Sequence, residues 1–115
     1  MIHAVARSAP FATMLLALAL LAPPIRAEPQ PKPFATGDAT AGKAMADSDC
    51  VACHAQRFAG KADEMYLRPD HKVRTPEQLL AQIRMCNVQL GKNYFPEEEE
   101  HVAAYLNLRY YKFKP

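Results

Sequence analysis

The sequence predicts a small all-α domain, and three observations carry that prediction. Two stretches, 76–90 and 96–113, repeat apolar residues three and four positions apart, the spacing of one helical face, and a third, 38–47, opens at a capping residue. No stretch alternates apolar and polar residues as a half-buried strand does. The length left after a predicted leader buries too little apolar surface to be comfortable alone, so the domain needs a staple.

The leader is read from residues 1–27. Arg7 gives a positive start, Phe11 to Ala22 (FATMLLALALLA) an uncharged apolar run, and PPIRA leads to the small residue Ala27 before Glu28. That is the layout of a secretory signal peptide cleaved after Ala27. A permanent membrane helix needs about 20 apolar residues, whereas Pro23-Pro24 close this run after 12. No cysteine lies near the cleavage point to take a lipid anchor. The mature chain is therefore expected in the periplasm, without stable membrane insertion. Arg7 and Arg26 leave with the leader, so Lys+Arg falls from 14 to 12 against 12 Asp+Glu. The basic balance of the whole chain belongs to targeting. No basic stripe with interleaved aromatics points to nucleic acid.

Residues 28–37 (EPQPKPFATG) hold three prolines and read as an extended, flexible lead-in, with Phe34 off the domain. The folded domain is expected over 38–115. Asp38 or Thr40 caps a first helix through about Asp47. Gly42 inside it costs about 1 kcal/mol against alanine, a cost that makes sense where a second helix crosses closely. Residues 55–75 show no sustained period, and Gly60, Pro69 and scattered charges predict a long loop. Thr75-Pro76-Glu77-Gln78 is a helix start, with Thr75 as cap, Pro76 in the first turn and Gln78 completing a capping box. Leu79, Ile83, Cys86 and Leu90 give that helix its apolar face, and Gly91 ends it. Phe95-Pro96 opens the last helix, whose Glu97–Glu100 complement the positive end of the helix dipole in a solvated first turn. Val102, Tyr105, Leu106, Tyr110 and Phe113 make its buried stripe, while Arg109, Lys112 and Lys114 gather at the other end. His71 and His101 read as surface histidines.

The chemistry lies in Cys50-Val51-Ala52-Cys53-His54. A C-x-x-C-H segment is an attachment point for a c-type haem: both thiols add to the vinyl groups as thioethers, and the histidine becomes the proximal iron ligand. Two other readings lack their context. A thioredoxin-like pair needs a βαβ unit, and nothing strand-like precedes Cys50. A structural zinc site needs four ligands at paired spacings, and Cys86, His71 and His101 supply no second pair. The expected cofactor is one covalent heme c per chain, held by Cys50 and Cys53 with His54 on the iron. Export agrees with this, because c-type haem is attached outside the inner membrane in bacteria.

Three helices with C-x-x-C-H after the first resemble the class I cytochrome c family. That resemblance implies a small helical domain wrapped around one covalent haem. It also implies a crossing of the first and last helices through a small residue and an aromatic, positions matched by Gly42 and Tyr105 or Tyr110. The sequence departs from the family in the connection 91–96 (GKNYFP), which lacks the methionine that class I carriers place opposite the histidine. Arg84-Met85-Cys86-Asn87, followed by Gly91 and an acidic last helix, is similar instead to the sphaeroides haem protein branch. There the sixth ligand is an asparagine just before a cysteine, and the matching position is Met85. The branch's second cysteine falls at Tyr94, so its disulfide has no counterpart. The likeness implies Met85 on the iron and Cys86 packed against the last helix. Met65, His71 and an open sixth position remain alternatives.

Two functions follow as expectations. One is a periplasmic electron carrier that is not an enzyme and meets redox partner proteins through small, transient contacts. The other is a haem protein that binds oxygen or nitric oxide at a weakly held sixth position.

Overall fold

A computed structural model describes residue 27 and residues 32–114 of the 115-residue chain. The predicted signal segment, apart from Ala27, lies outside the described residues. Among those described the protein is all-helical, in the order α1 (Ala39–Asp49), α2 (Val51–Arg57), α3 (Glu64–Leu67), α4 (Pro76–Leu90) and α5 (Pro96–Leu106), with a π-helical turn at Asn107–Tyr111. No helix among them is long and apolar enough to cross a membrane.

Asp38 caps α1, its carboxylate accepting from the Thr40 N–H at 2.8 Å and the Ala41 N–H at 3.3 Å. A short carboxylate satisfies donors that the first helical turn leaves unpaired. The cap has a second anchor that the sequence did not suggest. The Asp38 N–H donates to His101 Nδ1 at 2.9 Å, so His101 is half-buried and bonded rather than a plain surface histidine. Gly42 explains why α1 and α5 lie so close. A Cβ there would overlap the backbone carbonyl of His101 and stand 2.8 Å from the Val102 nitrogen. The expected crossing at Gly42 is present, and the nearest atoms across it belong to the α5 backbone.

α4 starts and ends where its sequence signals put it, but the expected capping box is not closed, because Gln78 reaches the residue before the cap and not Thr75 itself. Thr75 Oγ1 accepts from the Gln78 N–H at 3.2 Å, and Gln78 Oε1 reaches back to the Arg74 N–H at 2.7 Å. Gly91 closes the helix in the left-handed region at φ 60°, where a residue without Cβ carries least strain. Its buried face is Leu79, Leu80 and Ile83; Cys86 is half-buried and Leu90 exposed, so the face turns away from the core over its last turns. These residues join Val73, Val102, Ala103 and Leu106 in one core.

Three local expectations change. Residues 55–75 are not a continuous loop: α2 carries the C-x-x-C-H segment on to Arg57, and α3 forms a single turn that brings Tyr66 inward. Phe34, expected off the domain, packs on the core with its backbone at φ 48°. The acidic start of α5 is not wholly solvated. Glu99 is buried and accepts from Arg84 Nε at 3.1 Å and Asn87 Nδ2 at 2.8 Å. Asn87 also pairs with the Tyr94 backbone in both directions, at 3.0 and 3.1 Å, tying α4 to the connection before α5. Glu99→Ala is expected to cost about 2 kcal/mol, the cost of stripping an acceptor from a partly buried network whose Arg84 can still reach water. Urea unfolding checks this, and Glu99→Gln, which keeps the Asn87 bond, should lose less.

Candidate functional site

Cys50, Cys53 and His54 sit at the junction of α1 and α2. Cys50 is the residue between the helices and Cys53 lies one turn on, three positions later, so both belong to the same side of α2. Cys50 is half-buried and Cys53 exposed. α2 buries none of its residues, and beside the thiols Val51 is exposed too. Cys53 is thus presented at the surface, while Cys50 lies half covered by the surrounding chain.

His54 is half-buried, and its Nδ1 stands 2.9 Å from the Tyr66 hydroxyl, the two rings meeting edge-on with centroids 5.3 Å apart. With the ring proton on Nδ1 and donated to that oxygen, Nε2 keeps its lone pair. Burial lowers the His54 pKa, and nearby Arg57 lowers it further. A neutral imidazole is the form that binds a metal. Tyr66 stacks on Tyr110 at 4.6 Å and meets Tyr111 at 6.2 Å, while the Tyr110 hydroxyl donates to Asp63 at 2.8 Å. The last turn of the chain therefore backs the histidine through α3.

Burial pushes the Cys50 thiol up to about 11, with Cys86 and then Asp49 adding to the effect. A thioredoxin-like dithiol pair needs a strand before it, and the described residues form none. No group of three or more His, Cys, Asp or Glu side chains gathers as a metal cluster among the described residues. Cys86, expected to pack on the last helix, accepts from Gln82 Nε2 at 3.5 Å and lies within electrostatic reach of Cys50 and Tyr66.

Asp49, just before Cys50, accepts from Lys92 Nζ at 2.6 Å and from the Tyr94 hydroxyl. These bonds fasten the 91–95 connection to the cysteine segment, and they hold the Asp49 carboxyl below its ordinary range, Lys92 first and Tyr94 second. A carboxylate with a depressed native pKa adds stability that is present above its unfolded value, near 3.8, and is lost as the pH falls through the native value. Acid unfolding should therefore begin below about pH 4 in part through Asp49, and Asp49→Asn should flatten that limb of the stability profile.

The other candidate ligands are more scattered. Met85 is exposed, on the rim of a recess of about 300 Å³ with Lys72, Val73, Gln78, Ala81 and Gln82; neither cysteine of the motif nor His54 lines it. Met65 is half-buried on α3. His71 packs edge-on to Tyr111 at 5.5 Å, and its Nδ1 is buried with no hydrogen-bond partner among the described residues. The residue that sequence reading missed is Tyr66, twelve positions from His54 and without any motif to mark it.

Cys50, Cys53 and His54 fit a covalent haem on its proximal side: two thiols on one side of one helix, and an imidazole whose other nitrogen is already engaged. No family model, curated protein or solved structure matches the chain.

Proposed function

We propose that the protein is a periplasmic monohaem c-type cytochrome that carries single electrons between redox partners. The observation that carries this is Cys50-x-x-Cys53-His54 at the start of one short helix, with His54 Nδ1 2.9 Å from the Tyr66 hydroxyl, so that a ring proton on Nδ1 would leave Nε2 for iron. Cys50 and Cys53 would hold the haem as thioethers and His54 would bind its iron. Heme c supplies a one-electron ferric/ferrous couple. The chain's task is to fix the histidine, shield one side and leave an edge accessible. Among the groups around His54, Tyr66 and Tyr110 have their hydroxyls raised in pKa chiefly by burial.

Met85 is the proposed sixth ligand. A thioether there favours ferrous iron and raises the potential. The second reading, binding of a diatomic gas at a weakly held sixth position, is favoured by one observation. Met85 borders a recess that none of the three attachment residues lines.

Absorption spectra of the holoprotein, ferric and ferrous, with and without carbon monoxide, separate the two. A low-spin ferrous form inert to carbon monoxide, which becomes high-spin and reactive in Met85→Ala, supports electron transfer. A wild type that binds carbon monoxide readily and is unmoved by the substitution supports gas binding. Protein from a host that matures c-type cytochromes, yet without covalent haem, rejects both.

A further inference from the structure

We propose that Tyr66 is a positioning residue on the proximal side, setting the donor strength of His54 through its hydroxyl. The inference rests on the reading of His54 as an iron ligand. An imidazole bound through Nε2 must carry its proton on Nδ1, and whatever accepts that proton's hydrogen bond fixes the ring's orientation and its basicity. In this protein the group facing Nδ1 is a side chain, the Tyr66 hydroxyl at 2.9 Å, whose oxygen would accept that bond.

The geometry around Tyr66 makes the contact a held one. Its ring is stacked against Tyr110 with planes inclined by 24°, and Tyr111 closes a second side at 74°. Tyr110 is anchored in turn through its hydroxyl to Asp63, at the head of α3. The chain thus packs the single turn of α3 and the π-helical turn after α5 around one ring, and that ring's polar atom meets the proximal histidine. A neutral hydroxyl is a weaker acceptor than a carboxylate, so Tyr66 lends His54 moderate basicity, enough to favour ferric iron relative to an unbonded ring.

Tyr66→Phe keeps the ring and removes the oxygen. In the holoprotein it should shift the ferrous-to-ferric ratio about tenfold toward ferrous, an upward move of about 59 mV for one electron. Tyr110→Phe removes the bond to Asp63 and loosens the same stack while leaving the Tyr66 oxygen in place, and should leave the potential near that of the wild type. Equal shifts in both variants, or no shift in a haem-loaded Tyr66→Phe, overturn the proposal. Should Tyr66→Phe fail to load haem, proton NMR of the wild-type holoprotein decides. A slowly exchanging His54 Nδ1 proton close to the Tyr66 ring supports the assignment, and a freely exchanging one rejects it. A wild type without covalent haem fails at the earlier step and removes the premise; a loaded wild type with the wrong response removes this inference alone.

Discussion

Gly42→Ala should lower the stability of the domain by at least about 2 kcal/mol net, although alanine is the better helix former. Two opposed effects decide the sign. Replacing a mid-helix glycine with alanine gains about 1 kcal/mol of helix propensity. The new Cβ would overlap the His101 carbonyl and press on the Val102 nitrogen, and both are backbone atoms of α5 that cannot rotate aside. Forcing extra volume into a close-packed contact costs about 1–3 kcal/mol or more, and a contact with backbone falls at the upper end. The helices would separate, drawing the Asp38 N–H away from His101 as well. For a domain of this size the melting temperature should drop by about 10 °C. Thermal and urea unfolding followed by circular dichroism measure it. An unchanged or raised midpoint would mean that α1 and α5 do not cross at this glycine.

Replacing both Cys50 and Cys53 with alanine should abolish covalent haem, whereas Cys86→Ser should leave it intact. The contrast matters because all three cysteines are free thiols and Cys86 stands within electrostatic reach of Cys50. Cys50 and Cys53 share one side of one helix next to His54, and Cys86 belongs to α4. Thioether attachment requires both thiols to meet one macrocycle while the adjacent histidine meets its iron. Only the pair on α2 satisfies that geometry. Denaturing electrophoresis with a haem stain reads the outcome directly. Covalent haem persisting in the double variant, or lost in Cys86→Ser, would reassign the attachment site and with it the proposed function. Loss of the haem should also lower stability, because the folded chain would no longer bury the apolar face of the macrocycle.

The sequence by itself determined the helices that carry strong local signals, and it marked the C-x-x-C-H segment as the candidate site. Thr75, Pro76, Gln78 and Gly91 bounded α4 because capping bonds, a proline in the first turn and a left-handed glycine act over three or four residues. Cys50, Cys53 and His54 could be singled out for the same kind of reason: they form one pattern within five consecutive positions. Gly42 announced a close crossing, since a mid-helix glycine is a local cost that needs a distant cause.

Tertiary structure alone decided the partners. That Gly42 meets the His101 backbone, that Glu99 is buried against Arg84 and Asn87, and that Asp49 is clasped by Lys92 and Tyr94 all depend on contacts between residues far apart in the chain or on different elements. No periodicity encodes such pairings. The short helix α3 left no signal either, because a single turn is too brief for an apolar repeat. It nevertheless delivers Tyr66 to His54. Local interactions make helices readable one at a time; which side chain faces the histidine is settled only when the chain closes on itself.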